Sequence, residues 1–371
     1  MKEFKKIVHL TSAHDRYDTR IFLKMCKTLS LSGFNVFFVV ADGKGNENSN
    51  GVSIVDVGEN KGGRISRMTK VVNKVYVAAK EIDADIYHLH DPELMRIGNK
   101  LKNDGKIVIF DAHEDLPKQI LSKPYLNPIF RNFISKLFAI YERYSCRKYD
   151  QIVSATSAIR NKFKESNISS VVINNYPIVG ELRIENAWKD KKNEVIYLGG
   201  ISSIRGIRQL VNAMESIDSV TLNLVGEFSD KKLEAEVRGY LGWKNIEFHG
   251  FKNRNDVSKI MANSIAGVVT FLPAPNHVDS QPNKMFEYMS SGIPIIVSNF
   301  SSWTNLINDA KCGICVDPEN PEEISQAINY LTKNKREAEK MGDRGLSAIK
   351  NEYNWSIESK KLLELYGGLL D

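Results

Sequence analysis

The 371-residue chain predicts an α/β protein made of two doubly wound, parallel-sheet domains. Short runs rich in Val, Ile and Phe alternate with longer amphipathic stretches, as expected of strands buried on both faces between helices. The alternation stops at a polar segment after Tyr176-Pro177 and then restarts. Each half is long enough for its own sheet, and a hydrophobic content of 42% supplies two cores.

The first strand is read over residues 5–12, through Ile7, Val8 and Leu10, and an amphipathic helix over 19–33 carries Ile21, Phe22, Met25, Leu29 and Leu31. Strands at 35–40 and 52–55, a helix at 65–79, a strand at 85–88, a helix at 93–101 and a strand at 106–110 continue the pattern. A long helix over 127–148 and a strand over 151–154 lead to the apolar trio 171–173. The polar segment that ends at Asn193 reads as the linker, with the domain division at 1–178 and 179–355. The second series places strands at 194–198, 221–225, 246–248, 267–271 and 293–297, and residues 357–365 form a closing helix.

Composition narrows the function classes. The charged start (Lys2, Glu3, Lys5, Lys6) is no signal peptide, and no apolar run approaches the roughly 20 residues of a membrane span, so a cytoplasmic, soluble or peripheral protein is expected. Four cysteines make no disulfide framework, and Cys312-Gly313-Ile314-Cys315, lacking a second pair, reads as a strand rather than a metal site. The net charge of +6 suits an anionic substrate or lipid surface. Nucleic acid is disfavoured because no Lys/Arg block is interleaved with aromatics.

The chemistry concentrates in residues 279–298, which read as loop, helix, turn and strand. Pro282 fits a helix's first turn and Gly292 its stop. The helix start and Lys284 together can hold a diphosphate without a metal. Asp279 and Glu287 would repel phosphate, and suit hydrogen bonds to sugar hydroxyls and a ribose diol; two solvated acids would have the same spacing. The run Pro282-Asn283-Lys284-Met285-Phe286-Glu287-Tyr288-Met289, followed by Gly292-Ile293-Pro294-Ile295-Ile296, resembles the E-x7-E region of retaining glycosyltransferases of family four, with Asp279 at the first Glu.

That resemblance covers nearly the whole chain and implies the GT-B fold, two Rossmann-like domains facing across a cleft, with residues 356–371 returning to the first. It implies a nucleotide-sugar donor in the second domain, bound by Gly199, Gly200, Arg205, Ser280, Asn283, Lys284 and Glu287, with Asp279 on the sugar and Glu287 on the ribose. Residues 198–206 resemble the family's glycine-rich phosphate turn, with Arg205 in the lysine slot and Gly200 in the arginine slot.

His113 follows strand 106–110, at the end of a parallel strand where open sheets bind ligands. An imidazole tied into a loop is the plain alternative, and the resemblance favours a place in the active site, on the sugar hydroxyls. Glu114 would orient His113 or touch the acceptor. The glycine-free loop 11–20 offers His14, Arg16 and Arg20 as acceptor-side or anion contacts, or is simply solvated. His88 and His90 would share a metal only if the strand ran through both, and Pro92 ends it. Asp83-Ala84-Asp85 sits at the wrong end of its strand for a metal-binding DxD, so no metal or other cofactor is expected. Between 118 and 148, Lys118, Lys123, Arg131, Lys136, Arg143, Arg147 and Lys148 face Glu142 alone beside apolar residues, which suits either a core helix with a basic edge or an inner-leaflet contact.

The expectation is a retaining, metal-independent glycosyltransferase, UDP-sugar favoured, acting on a glycan or polyprenyl-diphosphate-linked acceptor in lipopolysaccharide O-antigen or capsule assembly. Two rivals stand beside it: a non-hydrolysing sugar-nucleotide epimerase and a non-catalytic nucleotide-sugar-binding protein. Neither half carries a G-x-G-x-x-G after its first strand, which weakens a dinucleotide oxidoreductase.

Overall fold

A computed structural model describes residues 5–59, 61–122 and 127–370. The chain divides into two compact units, one of Met1–Asn175 with Ser356–Asp371 and the other of Tyr176–Trp355. Each is a doubly wound α/β structure.

The first unit holds β1 (Lys6–Leu10), β2 (Asn35–Val40), β3 (Glu47–Ser49), β4 (Val52–Asp56), β5 (Ile86–Leu89), β6 (Ile107–Ala112), β7 (Gln151–Ser154) and β8 (Ser170–Val172). Their order is β3-β4-β2-β1-β5-β6-β7-β8. Only the β3–β4 pairing is antiparallel among the described residues. Val8 lies between Phe37 and Tyr87, and Leu10 between Val39 and Leu89. Helices cover both faces, so Val8, Leu10, Val39, Leu89 and Val108 are wholly buried. Burying each such aliphatic side chain stabilises the unit by about 1.5–3 kcal/mol. The sheet turns its polar side chains to the carboxyl ends of β1, β5 and β6.

The second unit holds β9 (Glu194–Leu198), β10 (Thr221–Val225), β11 (Ile246–Gly250), β12 (Ala266–Val269), β13 (Ile295–Ser298) and β14 (Gly313–Val316), ordered β11-β10-β9-β12-β13-β14. All of these pairings are parallel. The strand reading of Cys312–Cys315 holds, with Cys315 paired to Val297 in the ladder.

Several local expectations are corrected. The helix expected over 19–33 runs Ile21–Leu31, opens as a π-helical turn, and leaves Leu31 82% exposed instead of in the core. Asp111 belongs to β6, opposite Val153, rather than to the loop after it. Edge strand β3 is too polar (Glu47, Asn48, Ser49) to show an apolar alternation. Helices Leu116–Leu121, Ser157–Glu165, Pro321–Lys333 and Lys335–Asn351 add to those expected. The polar stretch read as a linker packs on the second unit: Leu182 is 3% exposed in its core, and Glu181 pairs with Arg254 at 2.8 Å. Lys123 lies outside the described residues.

The helix Trp355–Leu370 completes the first unit. Its Tyr366 is fully buried, and Glu358 accepts the Asn174 amide at 2.7 Å. At the opposite end of the sheet, Asp83 is paired with Lys106 at 2.6 Å and Asp85 accepts the Lys6 amide, so this DxD caps a turn.

Candidate functional site

In the second unit, the candidate site forms where β9 and β10 end side by side. Gly226 has φ 142°, and a Cβ there would meet the Gly199 carbonyl oxygen at 1.9 Å, so only glycine lets these strand ends approach so closely. The chain then makes the turn Ser203–Arg205 and passes through Gly206 (φ 73°), where a Cβ would lie 2.0 Å from the Thr270 carbonyl oxygen, into helix Ile207–Ala213. These two constraints fold the turn back on itself. Arg205 Nη1 donates to the Gly200 carbonyl at 3.1 Å, which also accepts the Tyr197 hydroxyl at 2.9 Å. The guanidinium lies 5.3 Å over the Phe271 ring.

The same turn receives the second cation. Around the position a Gly199 Cβ would take, Arg205 Nη1 lies at 3.2 Å and Lys284 Cε at 3.9 Å. Lys284 stands in the first turn of helix Asn283–Ser290, whose cap is Pro282. Its ammonium is 2.7 Å from Glu287 Oε2, and Arg254 Nη1 is 3.8 Å from Oε1. Glu287 is only 9% exposed, so these neighbours compensate a charge that burial would otherwise penalise. Ser280 donates its hydroxyl to the His277 carbonyl at 2.7 Å, and its own carbonyl accepts the Trp303 indole at 2.7 Å, which pins the loop before the helix. Asp279 and Asn283 are exposed beside it.

Arg254 and Phe271 were not singled out in the sequence: their ties to Glu287 and Arg205 are tertiary, with no local spacing to signal them. The arrangement is two cations and a helix start gathered at one glycine turn, with a half-screened carboxylate behind them. Such a set can bind a doubly charged phosphate group and accept hydroxyl hydrogen bonds.

In the first unit, a cavity of about 270 Å³ opens at the ends of β1, β5 and β6, lined among others by His14, Asp91, Asp111, His113 and Glu114. The glycine-free loop after β1 is built on carboxylates. Asp91 accepts the Thr11 hydroxyl at 2.7 Å and the Ser12 amide at 2.6 Å, while Asp18 accepts the Arg20 and Ile21 amides at 2.8 Å. His14 lies 3.3 Å from Asp18 and 3.4 Å from Asp91. Burial works against its charge, but the Asp18 hydrogen bond and the charges of Asp91, Asp18 and Asp111 outweigh it and raise His14 to about 9. His14 is therefore an imidazolium at neutral pH, a donor and not a base.

His113 stacks edge-on to His14, with ring centres 5.1 Å apart. Its Nδ1 is buried without a hydrogen-bond partner, 3.8 Å from Asp111. Glu114 does not orient it, because Glu114 is exposed and accepts from Gln119; the carboxylate nearest His113 is Asp111.

Arg16 and Arg20 are corrected from anion contacts to internal ion pairs. Each is 5% exposed. Arg16 forks onto Asp42 through two 2.7 Å bonds and reaches Glu47 at 2.9 Å. Arg20 forks onto Asp111 at 2.8 and 2.7 Å and donates to the Ile173 carbonyl at 2.9 Å.

Beneath the cavity runs a buried histidine chain that the sequence reading missed, since His9 lies far along the chain from His88 and His90. Contrary to expectation, His88 and His90 point to one face, with ring centres 4.6 Å apart. Nitrogens of His9, His88 and His90 lie within 4.8 Å of one another. Burial opposes the Asp111 charge, yet Arg20 and His90 hold its carboxyl well below the usual range. Ionised Asp111 accepts His90 Nδ1–H at 3.0 Å, so His90 Nε2 accepts His9 Nδ1–H at 2.8 Å. At 2.8 Å, shorter than the roughly 3.3 Å between ligand nitrogens of a tetrahedral zinc, this contact has the length of a hydrogen bond. His88 Nδ1 meets the Tyr366 hydroxyl at 2.7 Å, while its Nε2 has no partner. Burial holds His9 and His88 well below the ordinary histidine range.

Residues 179–347 match the family model described as glycosyl transferases group 1, and residues 19–175 match that of glycosyltransferase family 4. The chain is 24% identical over 198 residues to spore coat protein SA of Bacillus subtilis, covering 50% of this chain and 51% of that one. It is 23% identical over 275 residues to D-rhamnosyltransferase WbpZ of Pseudomonas aeruginosa, covering 70% and 67%. The chain thus spans about half the length of the first of these curated relatives. Among solved structures it resembles HepE of Anabaena in complex with UDP-glucose, with a TM-score of 0.74 at 13% identity over 98% of this chain and 99% of that one.

Proposed function

Because the chain belongs to the GT-B glycosyltransferases, through both halves of its length, we propose that it moves a sugar from a UDP-sugar to a hydroxyl of a glycan or lipid-linked acceptor, with retention at the anomeric carbon. The observation that carries the donor assignment is the convergence of Arg205 and Lys284 on the Gly199 turn. The UDP-glucose bound by the HepE structure supports the choice of base. The name of another relative, the lipopolysaccharide glucosyltransferase WaaG of Escherichia coli, supports a role in surface-polysaccharide assembly, such as O-antigen or capsule.

In this reading the bond from the anomeric carbon to the β-phosphate oxygen breaks with its electron pair on phosphate. Arg205, Lys284 and the start of helix Asn283–Ser290 stabilise the charge that develops there. When the diphosphate takes the Lys284 ammonium, Glu287 Oε2 is released to accept a ribose hydroxyl, and Arg254 stays beside Glu287 Oε1. The acceptor oxygen bonds to the anomeric carbon, and its proton passes to the departing phosphate. Asp279 holds the sugar. No metal is assigned a step, because two side-chain cations and a helix start occupy the phosphate position.

The experiment is thermal stabilisation by UDP-, GDP-, ADP- and CMP-sugars, repeated with Lys284→Ala. A UDP-sugar should raise the melting temperature, and the variant should lose that rise. No rise with any donor overturns the assignment. Turnover that requires acceptor separates transfer from epimerisation, and stabilisation without turnover marks a binding protein.

A further inference from the structure

The Pro128–Cys146 helix of the first unit leaves one side uncovered. Phe130, Phe133, Leu137, Ile140 and Tyr144 are 62, 58, 51, 62 and 56% exposed, and Ile129 beside them is 81% exposed. The spacing of three, four, three and four residues puts them in one stripe, within an arc of about 100° at 100° per residue. A continuous row of large apolar side chains about 21 Å long differs from the single exposed apolar residues normal on a soluble surface.

The charges around the stripe have one sign. Lys136, Arg143 and Arg147 are exposed along one flank, and Lys148 is exposed just past the helix end. Glu142, the acid of this helix, is turned to the far side, where it is buried and paired with Lys162 at 2.7 Å.

We propose that this helix is a docking face for an anionic lipid surface, lying in the plane of the interface with the stripe among the acyl chains and the basic flank among headgroup phosphates. A second copy of the chain is the competing occupant, because the same spacing is that of a coiled-coil seam. In such a seam Lys136 and Arg143 would occupy flanking positions on both copies with no acidic residue opposite, so like charges would meet. The charges that oppose self-pairing attract acidic headgroups. Glu142 lines the His113 cavity from the other side of the helix, so docking sets that cavity about one helix diameter, roughly 10 Å, from the lipid. Contact is interfacial: no helix among the described residues is long and apolar enough to cross a membrane. The proposal goes beyond glycosyl transfer and does not depend on it.

The test is flotation of the full chain with vesicles of phosphatidylcholine, alone or with about 30% phosphatidylglycerol. The chain should float with the anionic vesicles, stay behind with the neutral ones, and be released by about 0.5 M salt. Leu137→Glu with Ile140→Glu should lower partitioning at least about tenfold, and Lys136→Glu with Arg143→Glu should do so comparably. These side chains are exposed, and an unchanged thermal midpoint for each double variant verifies folding. Absence of flotation with anionic vesicles, or flotation indifferent to both double variants, overturns the proposal. So does a dimer in sedimentation velocity that Leu137→Glu with Ile140→Glu dissolves while vesicles leave the chain behind.

Discussion

Replacing Arg20 with methionine separates a structural ion pair from an anion-binding residue. The guanidinium is 6% exposed and its partner Asp111 is wholly buried. The substitution removes two bonds of 2.8 and 2.7 Å to Asp111 and one of 2.9 Å to Ile173, and leaves the carboxylate with His90 Nδ1–H as its near partner. An uncompensated buried charge of this kind costs about 3–5 kcal/mol, a large part of the roughly 5–15 kcal/mol that stabilises a typical domain. Asp111→Asn should cost a similar amount, because it strands the guanidinium instead. The double variant buries no net charge, and its amide oxygen still accepts from His90. Its loss should therefore fall short of the summed single losses by about 1–3 kcal/mol. Hydrogen exchange of β1 and β6 amides in urea reads the first unit by itself. Additive losses, or a single-variant loss below about 1 kcal/mol, would refute the ion-pair account. Intact stability with a raised KM for acceptor in Arg20→Met would restore Arg20 as an anion contact.

Other outcomes follow from the same geometry. Lys284→Ala should weaken UDP about 10- to 100-fold in calorimetry, the scale of one charge-assisted hydrogen bond, and leave uridine binding within about twofold; equal losses for both ligands would place the lysine away from the phosphates. Gly206→Ala should destabilise the second unit by about 2–4 kcal/mol, since a Cβ would meet the Thr270 carbonyl at 2.0 Å with φ at 73°, and a normal urea midpoint would contradict this. His14, raised to about 9 from 6.5, binds its proton more tightly folded than unfolded. Its contribution, on the order of 3 kcal/mol, is full below pH 6.5, declines as pH rises and is gone above about 9. The stability gap between wild type and His14→Gln should therefore close across that range, and a gap independent of pH would show that the charge is not what stabilises. EDTA should leave turnover intact; loss on chelation with recovery on adding Mg²⁺ or Mn²⁺ would require a metal.

What was legible in the sequence was what repeats locally. Strands such as β2 (Asn-Val-Phe-Phe-Val-Val) and β13 (Ile-Ile-Val-Ser) are apolar and bounded by turn residues, so a parallel α/β sheet followed directly. The helix carrying Lys284 and Glu287 was legible for the same reason, and its cap at Pro282 lies at the anticipated boundary. What was not legible depends on partners distant in sequence. Arg16 and Arg20 looked like free cations because Asp42 and Asp111 lie 26 and 91 residues away. The helix Pro128–Cys146 announced its apolar content but not which side the rest of the unit would leave bare. Asp111 looked like a loop residue because a charged side chain in a central strand is costly unless paired, and the pairing is tertiary.

The return of the last helix to the first unit has a consequence for how the molecule is made. Tyr366 meets His88 across 278 residues, and Glu358 meets Asn174 across 184. During synthesis the first unit therefore emerges with His9 and His88 uncovered on one side, and they stay so while the entire second unit is translated. The second unit is one continuous segment and can close as soon as it clears the ribosome. The unit begun first is finished last, its final closure waiting on sixteen residues whose docking bears the entropy of a very long loop. Nascent chains arrested before residue 356 should thus carry a protected second unit beside a first unit whose β1 and β5 still exchange readily.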